Sequence, residues 1–390
     1  MLKPLHIMEG HTPFFRPTYA TIDLSALAEN YLTLKRMLPK DVEILAMVKA
    51  DAYGHGAVPV ARKLVECGAV ALGVATVEEG MELRNAGIKK QIIVMGGLMG
   101  MGSPASGMMV GADLTPVVHS AEVIDFLEAV AASAKKRMAV HIKIDTGMSR
   151  LGARPEALPR ILERLSQCKW IYVEGVMTHL ASASEKDFTD KQTKIFLVSK
   201  EIIEAKLGSI ELWHIANSAA ILRGEPIVIP GSKKCWVRPG IALYGATNGV
   251  ALPKGVILKP VMGLESKIAL LKHIPAGAAV SYGCTFTAKR PSYIAIVPIG
   301  YADGYPLALS GKAEVIIGGK RCPVVGRVTM DMIMVDVTDL AKVSVGDSVI
   351  LMGAEDSESV GVEELAKKCD TIAYEIFCGI SKRMPRIYKE

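Results

Sequence analysis

The chain has 390 residues, of which 50% are hydrophobic and 22% charged, and its formal net charge is +6. This composition predicts a globular protein of about two domains and excludes a disordered chain, and no apolar run reaches the ~18 residues of a membrane span. The modest, scattered positive charge argues against nucleic-acid binding and favours anionic small molecules as ligands. Because residues 1–16 lack the apolar core of a signal peptide, we expect a cytoplasmic protein.

Cysteine and histidine usage gives little sign of a disulfide framework or a metal site. The seven cysteines form no C-x-x-C pair, and the eight histidines show no metal-ligand spacing. We therefore expect reduced cysteines and no bound metal.

The first half of the chain alternates short apolar runs with helical patterns. After an N-terminal extension (1–15) and a short alternating strand (19–24), strand-like runs occur at 44–48, 70–74, 91–95, 113–118, 138–144, 170–177, 210–215 and, more weakly, at 226–229 or 234–237. This alternation indicates parallel βαβ units, and about eight of them predict an α/β fold, a (β/α)8 TIM-like barrel over 16–248. A doubly wound open sheet is the alternative, but no G-x-G-x-x-G follows the first strand.

After about residue 248 the pattern changes to closely spaced short strands. They are expected at 266–274, 279–287, 293–299, 314–317, 322–325, 332–337 and 348–352, with a hairpin at Gly318 and Gly319, and only 362–369 has a helical pattern. The sequence thus predicts a second, mainly β domain over 249–390.

Polar residues follow many of the predicted barrel strands. They are Lys49 and Tyr53 after the first strand, Asp145, Thr146 and Arg150 after the fifth, Thr178 and His179 after the sixth, Asn217 and Ser218 after the seventh, and Arg238 and Gly240 near the eighth. Each has an ordinary explanation: Arg150 as a surface ion pair, His179 as a core histidine, Ser218 as a helix cap. A barrel, however, presents all these strand ends on one rim. An amine among anion-binding groups suggests Schiff-base chemistry on a phosphate-bearing carbonyl compound.

Nine segments carry a more specific signal, and they run in order along nearly the whole chain. They are VKADAYGHG (48–56), KIDTGMSRLG (143–152), TH (178–179), ANS (216–218), VRPGIALYG (237–245), VSYGCTF (280–286), GYADG (300–304), GRVTMD (326–331) and YEIFC (374–378). Together they resemble the alanine racemases, isomerases that use pyridoxal 5′-phosphate.

The resemblance implies a mechanism with two bases. Lys49 would bind the cofactor as a Schiff base and act on one face of the substrate, and Tyr282 from the other subunit of a homodimer would act on the opposite face. Such an enzyme interconverts L- and D-alanine and supplies D-alanine for bacterial peptidoglycan. His179 and Arg238 would support Tyr282, and Arg238 would also face the pyridine nitrogen of the cofactor.

The resemblance also implies the remaining site positions. Further cofactor-binding residues would be Tyr53, Asn217, Ser218, Gly240, Ile241 and Tyr374, with Arg150 at the cofactor's phenolic oxygen. Arg150 and the backbone of Met330 would bind the substrate. Tyr301, Arg327 and Asp331 would line a narrow access path together with Tyr282 and Tyr374. Lys143 matches a position that is carbamylated in some members, where the new anion braces Arg150.

Three other functions are compatible with parts of this pattern. Pyridoxal-phosphate decarboxylases for basic amino acids would need a catalytic cysteine in a Cys-x-Ser-x-Asp context, which none of the seven cysteines has. Non-catalytic pyridoxal-phosphate carriers resemble the barrel alone. A broad-specificity or serine racemase is the nearest alternative, and the large side chain of Tyr374 favours alanine over serine.

Overall fold

The computed structural model of the protein describes residues 15–183, 185–225 and 228–390. The chain divides into two compact units: Leu24–Val261 forms one, and the segment before Leu24 joins Met262–Glu390 in the other. The first strand, β1 (Tyr19–Asp23), belongs to the second of these units.

The unit Leu24–Val261 is built around a closed barrel of eight parallel strands. The strands are β2 (Val42–Met47), β3 (Ala71–Val74), β4 (Gln91–Val94), β5 (Thr115–Val118), β6 (Met138–Lys143), β7 (Ile171–Met177), β8 (Leu212–Asn217) and β9 (Lys234–Arg238). β9 pairs with both β8 and β2, which closes the barrel. The predicted barrel is therefore confirmed, and its eighth strand coincides with the run at 234–237. Residues 226 and 227 of the alternative run lie outside the described residues.

Helices lie between consecutive strands of the barrel along the chain, and a further helix, Leu24–Met37, precedes β2. Their bounds are Leu24–Met37, Ala57–Glu66, Val77–Asn85, Gly102–Gly111, Ala121–Ala134, Leu158–Ser166, Lys186–Leu207 and Ser218–Arg223. The helix Leu158–Ser166 buries Leu158, Ile161, Leu162 and Leu165, the i, i+3, i+4, i+7 stripe of an amphipathic helix.

The second unit is rich in short strands. They are β10 (Met262–Lys267), β11 (Leu270–Ile274), β12 (Ala279–Val280), β13 (Phe286–Thr287), β14 (Ser292–Val297), β15 (Glu314–Ile317), β16 (Lys320–Pro323), β17 (Ile333–Asp336), β18 (Ser348–Glu355), β19 (Glu358–Val360) and β20 (Arg386–Lys389). The main sheet has the order β16-β15-β18-β10-β1-β20, with β19 paired to β18. The hairpin expected at Gly318 and Gly319 joins β15 to β16.

The expected domain boundaries differ from these units at one strand. We expected β1 within the barrel segment 16–248, but it lies in the β-rich unit, where it pairs antiparallel with β10 and parallel with β20. Residues 20–22 are all buried there. The alternation of apolar and polar residues identifies this five-residue segment as a strand. It does not identify the strands that pair with it, which lie more than 230 residues away along the chain.

The expectation of a single helix after residue 250 was wrong. The structure has the helix Val362–Lys368 and a second, Ala373–Gly379, which buries Ala373, Ile376 and Phe377. Seven residues with a β-branched residue and two aromatics are too few to show a helical period clearly. Among the described residues, no helix is long and apolar enough to cross a membrane, and no group of three or more candidate ligands could hold a metal ion.

Candidate active site

Lys49 lies two residues beyond the end of β2, and a left-handed turn follows it directly. Ala50, Asp51, Ala52 and Tyr53 all have φ between 52° and 54°. For non-glycine residues this conformation costs roughly 1–2 kcal/mol per residue, so the surrounding structure must offset the strain. The sequence indicated a polar turn here but gave no sign of its handedness.

Side chains from the turn and from a neighbouring helix stabilise this unusual backbone. Asp51 Oδ1 accepts a hydrogen bond from Ala57 N at 2.7 Å, and Glu79 Oε1 accepts one from Ala50 N at 2.7 Å. Fully buried His55 places Nδ1 2.9 Å from the carbonyl oxygen of Tyr53. These contacts fix the direction in which the chain leaves Lys49.

The turn brings Tyr53 against Gly240, and Gly240 in turn contacts Ser218. A Cβ on Gly240 would overlap the phenol of Tyr53, so a larger residue here would have to displace that phenol. Ser218 Oγ accepts hydrogen bonds from Gly240 N at 2.9 Å and from Ala242 N at 3.3 Å. Both lone pairs of this hydroxyl are thus in use, and its O–H remains to donate. Ser218, Gly240 and Ala242 therefore form a cradle whose O–H suits an acceptor such as a phosphate oxygen.

Two further residues predicted to bind the cofactor, Ile241 and Asn217, are adjacent in sequence to this cradle. Ile241 is buried and begins the 3-10 turn Ile241–Tyr244. Asn217 is the cap of the helix Ser218–Arg223: its Oδ1 accepts from Ala220 N at 3.1 Å, and its Nδ2 donates to Leu180 O at 3.2 Å. The cap is therefore Asn217, so Ser218 is available for the cradle.

Arg238 ends β9 and is 4% exposed. Its Nη2 donates to Ile215 O at 3.0 Å and to Thr178 O at 2.5 Å, and lies 3.5 Å from His179 Nδ1. Its Nη1 is also buried, with no hydrogen-bond partner in the described part of the chain. Burial lowers the pKa of Arg238 to about 9, so the guanidinium is still charged at neutral pH.

His179 stands in a strongly positive environment. Burial lowers the pKa of its imidazole well below the ordinary value, and the charges of Arg238, Lys143, Arg150 and Lys49 lower it further. We therefore expect a neutral imidazole at pH 7. Because Arg238 can only donate, His179 Nδ1 must accept in their contact, and Nε2 then carries the hydrogen.

Lys143, at the end of β6, is 6% exposed. Burial lowers the pKa of its amine to about 8, and the positive charges of Arg238, Arg150 and Lys49 act in the same direction, opposed by Asp145. The rim of the barrel thus concentrates four cationic side chains, which favours an anionic ligand.

Arg150 itself is exposed and lies on a loop that Asp145 holds. Asp145 Oδ1 accepts from Gly147 N and from Ser149 N, both at 3.0 Å. These bonds fix the loop immediately before Arg150.

The other expected site residues lie in the β-rich unit. Tyr282 is 73% exposed on the 3-10 turn Tyr282–Cys284, and Ser281 beside it has φ 66° and donates to Arg327 O at 2.7 Å. Tyr301 N donates to Thr329 O at 3.0 Å. The hydrogen bond of Ser281 thus ties the turn that carries Tyr282 to the backbone of Arg327.

The remaining three expected residues also lie on this unit. Met330 is 52% exposed, and Asp331 Oδ1 accepts from Arg383 Nη2 at 2.8 Å. Tyr374 is half-buried on the helix Ala373–Gly379, and burial raises the pKa of its phenol.

A series of polar contacts also joins the barrel strands β6, β7 and β8, which the sequence did not predict. Glu174 Oε2 lies 3.0 Å from His141 Nε2, and His141 Nδ1 lies 2.9 Å from His214 Nε2. Both histidines are fully buried, and burial lowers the pKa of His214 well below its ordinary value. The sequence offered one signal for these contacts: each of two strands contains a histidine, in HIK (141–143) and in LWHIA (212–216).

Comparison with known proteins identifies the fold and its family. A family model described as alanine racemase, N-terminal domain, matches residues 22–248, and one described as alanine racemase, C-terminal domain, matches residues 261–388. The chain belongs to the alanine racemase family. Curated alanine racemases from Halothermothrix orenii and Geobacter sulfurreducens are each 42% identical to it, over 96% of this chain and 97% of theirs.

Solved structures of alanine racemases have the same fold. The Bacillus anthracis enzyme with bound L-Ala-P is 37% identical with a TM-score of 0.88, covering 97% of this chain and 96% of that one. The Bartonella henselae enzyme with covalently bound pyridoxal phosphate is 31% identical with a TM-score of 0.82, covering 96% and 99%. The racemase fold expected from the sequence is therefore confirmed, as a parallel barrel followed by a β-rich part.

Proposed function

We propose that this protein is a pyridoxal 5′-phosphate-dependent isomerase that interconverts L- and D-alanine. The observation that carries the proposal is the rim of the barrel, where the amine of Lys49, the cradle at Ser218 and the buried guanidinium of Arg238 follow the carboxyl ends of β2, β8 and β9. Membership of the alanine racemase family supports one reaction for this combination of groups.

The residues of the rim fit the cofactor. The O–H of Ser218, whose oxygen already accepts from the N–H groups of Gly240 and Ala242, suits its phosphate as a donor. The buried Nη1 of Arg238 has no hydrogen-bond acceptor among the described residues. The pyridine nitrogen of the cofactor would be a suitable acceptor. We propose that Lys49 holds the aldehyde carbon, with Tyr53, Asn217, Ile241 and Tyr374 completing the cofactor site and Arg150 at its phenolic oxygen.

When bound, pyridoxal 5′-phosphate withdraws electrons from the α-carbon and acidifies its C–H bond. The chain's own residues then move the proton. Lys49 Nζ takes or returns the proton on one face, and the phenol oxygen of Tyr282 does so on the other. Two fixed bases on opposite faces invert the centre without turning the substrate over.

His179 and Arg238 support the second base. With Nδ1 accepting from Arg238, neutral His179 presents Nε2–H as a donor, which can stabilise the phenolate oxygen of Tyr282. Arg238 itself keeps its proton at pH 7, so it donates to the pyridine nitrogen without protonating it. This limits the negative charge that the cofactor accepts, and so favours return of the proton to the α-carbon over side reactions that need a long-lived carbanion.

We further propose a homodimer in which each subunit lends Tyr282 to the other. Large exposed side chains such as Tyr282, which is 73% exposed, and Met330 on the same unit are typical of a surface that a partner covers. Tyr301, Arg327 and Asp331 would line the access path, and the backbone of Met330 with Arg150 would bind the substrate carboxylate. In this role the protein works in the cytoplasm and supplies D-alanine for peptidoglycan.

The decisive experiment is to load the purified protein with pyridoxal 5′-phosphate and incubate it with L-alanine in D2O. Loss of the α-proton signal and appearance of D-alanine should proceed together. A protein that binds the cofactor but catalyses neither change would contradict the proposal.

Serine racemisation is the second candidate, and Tyr374 is the residue that bears on it. A half-buried tyrosine on the helix Ala373–Gly379 leaves less space than a smaller polar residue would. We therefore expect a higher kcat/KM for alanine than for serine, and Tyr374→Ala should narrow that ratio. An unchanged ratio would remove Tyr374 from the specificity argument.

A further inference from the structure

The β-rich unit contains a fully buried carboxylate, that of Asp303. Its Oδ1 accepts from Arg16 Nη2 at 2.7 Å and lies 3.4 Å from Arg383 Nε, while Oδ2 accepts from Gly300 N at 3.0 Å. An isolated buried carboxylate is strongly unfavourable, so two guanidiniums and a backbone N–H account for its burial. Arg16 belongs to the segment before β1 and Arg383 to the segment before β20, so three distant parts of the chain meet at this group.

One end of this ion-pair network reaches the loop that carries Met330. Arg383 Nη2 donates to Asp331 Oδ1 at 2.8 Å, directly after Met330. Arg383 therefore connects the buried carboxylate of Asp303 to the exposed carboxylate of Asp331 with a single side chain.

The same loop is also held from its other side by the turn that Asp303 closes. Tyr301 N donates to Thr329 O, and Ala302 N donates to Met330 O, both at 3.0 Å. Gly300 lies so close to these two carbonyls that a Cβ there would overlap both. Asp303 thus holds the backbone of Met330 in two ways. Its side chain acts through Arg383 and Asp331, and its turn acts through the N–H groups of Tyr301 and Ala302.

The carbonyl of Met330 is engaged in this way, but its N–H forms no hydrogen bond within the ranges that the structure describes. We propose that Asp303, clamped by Arg16 and Arg383, is a positioning residue that sets the Met330 N–H to receive the substrate carboxylate. This inference rests on the proposed function, in which Met330 binds that carboxylate.

The carboxylate does not change in charge or bonding during racemisation. Its binding therefore stabilises the ground state and the transition state about equally, and weakening it raises KM while leaving kcat nearly unchanged. A purely structural role for the network would instead lower the fraction of active enzyme, and so kcat, without raising KM.

The test compares wild type with Arg383→Met, both loaded with cofactor. We expect KM for both enantiomers to rise about tenfold, kcat to stay within about threefold, and the absorption spectrum of the bound cofactor to be unchanged. Propionate, which is alanine without its amino group, reports the carboxylate site alone, and its dissociation constant should rise by the same factor. Arg290→Met is the matched control, since Arg290 pairs with Asp339 on the surface of the same unit.

Asp331→Asn tests the positioning role if Arg383→Met does not fold. It removes only the exposed end of the network, because the Asp331 side chain is 53% exposed, and KM should still rise. Unchanged KM and propionate affinity in the variants, or a fall in kcat at constant KM, would overturn the positioning role. If the wild-type protein does not racemise alanine, the proposed function fails, and the propionate affinities of the folded variants still decide this inference.

Discussion

Burial of the Lys143 amine should make the stability of the cofactor-free protein depend on pH in a defined way. The folded pKa is about 8, against an ordinary value of 10.5. Between these values the unfolded lysine holds a proton that the folded one has released, so stability rises with pH across this range. At ~1.4 kcal/mol per pH unit, the charged amine destabilises the fold by about 3 kcal/mol at pH 7, and more than half of this should be recovered by pH 9.5.

The assay is urea unfolding of wild type and Lys143→Met in CO2-free buffer at pH 7 and pH 9.5. The free energy of unfolding of wild type minus that of the variant should increase by about 2 kcal/mol between the two pH values. This difference cancels other groups that titrate in the same range. Lys90→Met, at an exposed lysine, is the control and should give a difference that stays level.

A constant difference for Lys143→Met would refute the reasoning, because it would mean that the amine is not desolvated. Bicarbonate offers a second check. We propose from the family resemblance that Lys143 is carbamylated. Added bicarbonate should therefore raise the stability of wild type at pH 7.5 and leave that of Lys143→Met unchanged.

Three further predictions concern the proposed active site. Tyr282→Phe should keep the cofactor attached but slow α-proton exchange from one enantiomer by at least about 100-fold, as removal of a general base does, and equal loss for both enantiomers would contradict the two-face arrangement. Lys49→Ala should abolish the lysine adduct that borohydride traps, and a persisting adduct would mean that another lysine binds the cofactor. Gly240→Ala should weaken cofactor affinity about tenfold or more in a titration, because its Cβ overlaps Tyr53, whereas Gly107→Ala, with open space around it, should not.

The sequence predicted those features of the candidate site that follow from the order of the barrel strands. Lys49, Arg238 and Ser218 follow apolar runs, and parallel strands in a closed barrel bring such ends to one rim. What each group does there was not predictable from its position. The sequence does not show that Asn217 rather than Ser218 caps the helix, or that Arg238 keeps one buried nitrogen without a partner among the described residues.

The barrel, the β-rich part and the family were determined by the sequence alone, because apolar periodicity and ordered motifs are local properties of the chain. Only the tertiary structure decided where β1 pairs, since its partners are distant and a strand's alternation does not name them. It also decided the left-handed turn after Lys49, where contacts from Asp51 and Glu79 outweigh the local preference of four non-glycine residues. The Asp303 clamp has the same origin, because burial makes a carboxylate depend on arginines that lie far from it in sequence.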